Sequence, residues 1–334
     1  MMLGKVVDRM FAPIARQLEH EPKRREKMSK LGIGNTMHLA KWYNTRLYGK
    51  YLRHRQQQYT NNFAELLKEN GEVQEPILEM NDGWVLDTSR SLPYLQDVLD
   101  EADEIIKERG DKIERNNSYR AYFRNIITVE DLSTYPSFLN FITSSQVLAT
   151  VCKYLNFIPC MPKDRPIGVR FAASSTSFDE SAHLPPRDSQ LFHIDPYCTH
   201  EVYVLVLLHD IRPDQGPFCF FPESLSQYAA KKLGYWTRKL PYRLSDELIY
   251  SVLDKKDRHD FVYPKGSVLF IDPSRCFHYG SRNTQGTRYQ LMYALANPCR
   301  TDFSETVGPK NFEFPTKDSD SRLRKMVLDK KFMV

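Results

Sequence analysis

The sequence has no C-x-x-C pair, no apolar run long enough to cross a membrane, no repeat at a fixed period and no low-complexity tract. Its six cysteines, at 152, 160, 198, 219, 276 and 299, are scattered. That excludes a zinc ribbon built on paired spacing and a short, disulfide-dense secreted scaffold. Such thiols are expected to be reduced and mostly buried, as in a cytoplasmic protein. The longest aliphatic stretch, YVLVLL at 203–208, has the length of a strand. A spanning helix needs roughly 20 apolar residues. The opening MMLGKVVDRM carries charges at Lys5, Asp8 and Arg9, so the uninterrupted apolar core of a secretory signal is not expected.

What is present suits a packed domain. Apolar residues make up 41 % of the chain, which is enough for a real core, and Tyr and Phe number 19 each. The net charge of +5 is uneven: residues 1–60 hold 13 Lys/Arg against 4 Asp/Glu, so the remainder is net acidic. Three employments fit this basic end. Its apolar stripe could dock on the protein's own core, it could lie on an anionic membrane, or it could meet an anionic substrate or nucleic acid. No nucleic-acid-binding motif accompanies the charge.

Along the chain, Leu3, Val6, Val7, Met10, Phe11, Ile14 and Leu18 recur at helical spacing, interrupted by Pro13. EPKRREKMSK at 21–30 reads as a charged, exposed connection, and 36–58 as a second helix. A short strand is expected at 83–88 and a helix at 91–110, capped by Ser91 and stopped by Gly110. Two short helices follow between 130 and 157. After Pro166 come the strand signals IGVRFAAS, EVYVLVLLH, FCFF, SVLFI and RYQLMYALA, with one helical insertion at about 223–254. This order predicts an α+β fold with a sandwich or barrel backed by helices. The expected division is a basic helical extension over 1–80, the main domain over 81–300 and a polar C-terminal tail over 301–334.

Two segments carry the chemistry. FHIDPYC places His193 and Asp195 two residues apart, and in extended backbone such residues face the same way, about 6.5–7 Å apart. Alone, H-x-D is a weak signal. Far downstream, SVLFIDPSRCFHYGSRNTQGTRYQLMYAL supplies His278 and, ten residues later, Arg288. Two histidines and a carboxylate form a facial triad that leaves three adjacent positions open on ferrous iron. Those positions suit a bidentate 2-oxo acid and dioxygen. A guanidinium then matches the far carboxylate of 2-oxoglutarate, because its planar fork pairs bidentately.

The order H-x-D, distant His, N-x-x-x-x-R resembles the phytanoyl-CoA dioxygenase family of Fe(II)/2-oxoglutarate oxygenases. NTQGTR at 283–288 is similar to the family's loop before the 2-oxoglutarate arginine, and GPFCFFPESL at 216–225 to its turn after the central strand. NDGWVLDT followed by a helix is similar to its opening. The resemblance spans about 82–300, and it implies that the α+β fold is a double-stranded β-helix, a cupin-like jelly roll backed by helices, with the N-terminal helical extension outside it. It implies Fe(II), 2-oxoglutarate and O2 as cofactors, with His193, Asp195 and His278 as metal-binding, catalytic residues and Arg288 binding the cosubstrate. It also implies a hydroxyl residue near the second histidine on 2-oxoglutarate, for which Ser281 is the candidate. The implied reaction is hydroxylation of a C–H bond in a small-molecule substrate, with release of succinate and carbon dioxide.

Pro196-Tyr197 and Glu223-Ser224-Leu225 depart from the family's usual residues. Related halogenases carry a small residue at the position of Asp195, so its carboxylate favours hydroxylation. Two other readings stand beside this one: a non-catalytic jelly-roll binding protein with a vestigial metal site, and a zinc-dependent hydrolase. His209 reads as structural and His200 as a candidate for lining the pocket.

Overall fold

The computed structural model describes residues 17–18, 20–73, 76–110, 122–163, 168–178, 184–303 and 313–329. The apolar stripe at 3–14 lies outside them. In chain order the elements are α1 (Glu21–Leu31), α2 (Ile33–Asn70), β1 (Trp84–Asp87), α3 (Leu95–Arg109), β2 (Phe123–Asn125), α4 (Asp131–Thr134), α5 (Ser137–Ile142), α6 (Ser145–Leu155), β3 (Val169–Ser175) and β4 (Val202–Leu207). There follow β5 (Cys219–Phe220), α7 (Glu223–Lys232), α8 (Asp246–Tyr250), β6 (His259–Asp260), β7 (Val268–Ile271), β8 (His278–Tyr279), β9 (Thr287–Leu295) and α9 (Arg322–Leu328).

The strands form two antiparallel sheets, so the chain is α+β. Six strands run in the order β1-β7-β4-β9-β3-β2, and three in the order β6-β5-β8. Alternation along the strands divides the large sheet into two faces. Phe171, Val204, Phe270, Leu291 and Tyr293 point into the main core, where α3, α5, α6 and α9 cover them. Tyr203, Leu205, Leu269, Ile271 and Met292 point the other way, towards Phe220 of the small sheet and Phe218 just before it. The site lies on this inner side.

The stretch 21–30, expected as an exposed connection, is instead helix α1. Pro22 occupies its first turn, where a missing N–H is harmless, and Gly32 at φ 82° ends it. Pairs at i,i+4, Glu26–Lys30 at 2.8 Å and Glu21–Arg25 at 3.9 Å, support it. Dense charge hides the signal of the buried Arg24 and Met28. The second helix also exceeds its expected bounds, running from 33 to 70. Its first turn lies tight against the 3-10 turn Tyr235–Thr237. A Cβ at Gly34 would sit 2.6 Å from the Trp236 carbonyl oxygen. Further along, the buried Arg55 donates to the carbonyls of Ile158, Pro159 and Met326, and Leu66 joins the main core.

Three smaller expectations also change. Ser91 does not cap α3, which starts at Leu95 after Tyr94 in the left-handed region. The insertion at 223–254 resolves into α7, the 3-10 turn and α8. The polar tail contains α9, with Leu323, Met326, Val327 and Leu328 buried. Among the described residues no helix is long and apolar enough to cross a membrane.

Candidate functional site

His193 and His278 face each other across an isolated antiparallel bridge. Each backbone N–H donates to the other residue's carbonyl, at 3.1 and 3.0 Å. Their rings therefore converge, with centroids 4.3 Å apart. The next residues of the first segment turn away, and Asp195 N–H donates to the Pro273 carbonyl at 2.9 Å. This brings Asp195 Oδ1 to 3.7 Å from His193 Nε2. One ligand atom from each of His193, Asp195 and His278 lies within 4.8 Å of the others, the spacing of a metal-holding cluster. Residues 85 positions apart in sequence thus meet through one bridge.

The tautomers follow from backbone contacts. His193 Nδ1 lies 2.8 Å from the Leu191 carbonyl and His278 Nδ1 lies 3.0 Å from that of Cys276. A carbonyl only accepts, so each Nδ1 carries the hydrogen and each Nε2 is left with its lone pair for a metal. Burial, reinforced by His278, pushes His193 down to about 3, so it stays neutral. For Asp195 burial acts upwards, but the two histidines and the Tyr203 hydroxyl outweigh it and hold the carboxyl below its usual range. Tyr203 donates to Asp195 Oδ2 at 2.7 Å, which leaves Oδ1 for the metal. Tyr203 itself stays protonated, because burial and the adjacent carboxylate raise it well above its ordinary value.

Arg288 reaches the same cavity from β9. Its Nη2 donates to Ser281 Oγ at 2.9 Å, while Nε and Nη1 are buried without a hydrogen-bond partner among the described residues. Burial pushes this guanidinium down to about 10, still charged at neutral pH. A buried cation with two unmet donors fits an incoming carboxylate. Ser281 adopts φ 62°, and its carbonyl accepts from Gln190 Nε2 at 2.7 Å, which fixes the turn that presents its hydroxyl. The five residues read from the sequence are therefore brought together: three in the cluster and two at the guanidinium.

The cavity holding them has a volume of about 490 Å3. Two parts of its wall went unread in the sequence. Beside Asp195 lies a buried ionic group in which Arg300 donates to Asp302 at 2.6 Å and to Glu201 at 2.9 Å. A second part of the wall comes from α1, with Arg24, Arg25 and Met28, and from the Leu240–Arg243 segment. Tyr203 was legible only as a polar interruption of an aliphatic strand. Arg24 lay within a charged stretch that gave no inward face.

Among the described residues, the other histidines do not join the cavity lining. His200 Nδ1 is 3.1 Å from Asp272, and its Nε2 accepts from Arg275 at 3.0 Å. His209 Nε2 accepts the Tyr289 N–H at 3.0 Å, a structural role at the end of β4.

No family model matches the chain, and no curated protein does. Solved structures do. AviO1 from Streptomyces viridochromogenes Tue57 is similar at TM-score 0.41 and 14% identity, over 72% of this chain and 96% of that one. The epimerase SnoN, in complex with Fe3+, alpha ketoglutarate and nogalamycin RO, gives TM-score 0.41 and 12% identity over 70% and 83% of the two chains. HygX from Streptomyces hygroscopicus, with nickel and 2-oxoglutarate bound, gives 0.35 and 15% over 64% and 82%.

Proposed function

We propose that the protein is a non-haem Fe(II)- and 2-oxoglutarate-dependent dioxygenase of the phytanoyl-CoA dioxygenase type, built on a double-stranded β-helix, that hydroxylates a C–H bond of a small molecule. One observation carries this reading. A His-Asp-His cluster with both histidines buried shares its cavity with an arginine that keeps two buried donors unmet among the described residues. Iron(II) with 2-oxoglutarate supplies the oxidising power when bound, the cosubstrate being split to succinate and carbon dioxide as dioxygen is consumed.

The chain's own residues supply the rest. His193 and His278 would hold the iron through Nε2, and Asp195 through Oδ1. The backbone contacts of both imidazoles and the Tyr203 hydroxyl fix the ligand set in orientation. Arg288 would receive the distal carboxylate with its two unmet donors, while Ser281 steadies the third nitrogen. The Asp195 carboxylate occupies the position that a halogenase leaves for chloride, which favours hydroxylation. The surrounding apolar residues, including Phe218 stacked 5.3 Å from the His278 ring, keep water from the reacting atoms.

The test is a titration of 2-oxoglutarate into Fe(II)-loaded protein under nitrogen, followed by exposure to oxygen. The expected results are a visible charge-transfer absorption and then oxygen-dependent succinate formation. Succinate formation without iron, or zinc-supported hydrolysis without oxygen, would overturn the reading.

A further inference from the structure

Strand β9 presents Arg288, Gln290 and Met292 to the cavity, because every second residue of a strand faces the same side. Arg288 and Gln290 stand two residues apart, about 6.5–7 Å along the backbone. Both side chains are long enough to close on one small group set between them. Across the sheet, Gln290 is aligned with Ala172 of β3 and Leu207 of β4. Neither neighbour has a polar side chain. The Gln290 amide is therefore a lone polar group on an apolar stretch of the sheet, only 8% exposed and without a side-chain hydrogen bond among the described residues.

The want of partners is concentrated at this point of the cavity. Beside Gln290, Arg288 Nε and Nη1 are buried without a hydrogen-bond partner among the described residues. So is the Oγ of Ser174, which lies directly opposite Arg288 in the β3–β9 register. Each buried polar group left unpaired costs stability, so several in one recess point to a ligand that supplies the missing partners. The groups are a guanidinium, an amide and a hydroxyl. All can donate, which calls for a ligand rich in acceptors. Gln290 is also neutral, so it leaves the charge of Arg288 uncancelled, whereas a glutamate there would pair with it.

Resting on the dioxygenase reading, we propose that Gln290 is a second cosubstrate-binding residue, its Nε2 donating to the far carboxylate that Arg288 receives, so that the two together select a 2-oxo diacid over a 2-oxo monoacid. The division of labour follows from the two side chains. Arg288 supplies the charge, and the Gln290 amide fixes the carboxylate from the sheet side through a directional bond to a charged acceptor. The small Ala172 next to it leaves the space above the sheet to the ligand.

The test titrates the full chain, loaded with Fe(II), under nitrogen and reads binding by calorimetry. Two acids with the same number of carbons are compared: 2-oxoglutarate, and 2-oxopentanoate, which lacks the far carboxylate. Gln290→Leu is expected to bind 2-oxoglutarate about tenfold more weakly, the loss of one charge-assisted contact, and 2-oxopentanoate as the parent does. Gln290→Glu has the shape of the parent side chain and is expected to weaken 2-oxoglutarate about a hundredfold or more, by pairing with Arg288 and repelling the carboxylate. Iron affinity, from competition with a chelator, is expected to hold in both variants, which separates a lost contact from a damaged site. An affinity for 2-oxoglutarate within twofold of the parent in either variant overturns the proposal. Equal losses for the two acids, or a parallel fall in iron affinity, also overturn it. The 2-oxoglutarate titrations decide alone where 2-oxopentanoate does not bind the parent, and Gln290→Glu decides where Gln290→Leu does not fold. Failure of 2-oxoglutarate to bind the iron-loaded parent overturns the dioxygenase reading instead.

Discussion

The two ends of the cavity are built by different means. At the inner end, backbone pairing sets the geometry: the His193–His278 bridge, the Asp195–Pro273 contact and the register that aligns Arg288 with Ser174. Side chains there are placed by a hydrogen-bonded ladder that tolerates no slip, because a one-residue shift would reverse every face. At the outer end, a charged helix and the Leu240–Arg243 segment supply the wall, and side-chain contacts hold it. Ladder-built geometry suits a fixed cofactor chemistry. A helix that lines the cavity through its side chains can change its residues without disturbing the sheet.

The sharpest way to break this comparison is at the cluster. His193→Ala or His278→Ala should abolish iron binding in a metal titration, a loss greater than the roughly 10- to 100-fold typical of a supporting residue. Full iron affinity in either variant would show that the cluster is not the metal site. Arg288→Lys keeps the charge but removes the fork, and should raise the 2-oxoglutarate concentration needed for half-saturation about 30- to 150-fold. An unchanged titration would move the anchor elsewhere.

Tyr203→Phe removes one hydroxyl and frees Asp195 Oδ2. It should weaken iron binding about tenfold, measured by competition with a chelator, while the melting temperature with excess iron shifts little. A variant with unaltered iron affinity would show that the ladder alone orients Asp195. The smallest effect lies away from the cavity, at His209. Burial lowers its pKa, and its Nε2 must stay unprotonated to accept the Tyr289 N–H. A histidine depressed on folding contributes stability above its unfolded pKa of about 6.5 and loses it as pH falls. Denaturation of the His209→Gln variant should therefore show a shallower fall in stability on acidification below about pH 6.5 than the parent. Parallel curves would assign the acid sensitivity to other groups.

The same division governs how much could be read from the sequence. The α+β order, the strands around Phe171, Val204, Phe270 and Tyr293, and the residues His193, Asp195, His278 and Arg288 were legible. Strand alternation and ligand chemistry leave local traces. Ser281 was legible through family resemblance alone. The outer wall was not legible, because its face is charged and therefore reads like solvent-exposed helix or loop. Arg24 looks like any surface arginine until the fold lays Tyr197 beneath it. Helix α9 was concealed in the same way, its four buried apolar residues standing among Arg322, Arg324 and Lys325.

The 38-residue helix α2 carries one further consequence. At 1.5 Å per residue it is about 57 Å long. Near its start Asn44 donates to the carbonyl of Arg300, in the ionic group beside Asp195. At its end Asn70 donates to the Thr143 carbonyl at 2.8 Å, in the helical layer behind the large sheet. A single unbroken rod pinned at the cavity, at Arg55 and at the far core makes partial unfolding difficult: releasing either end strains contacts at the other. Its interior amides are therefore expected to exchange with deuterium through one shared opening that coincides with global unfolding, so that cavity wall and core form a single cooperative unit.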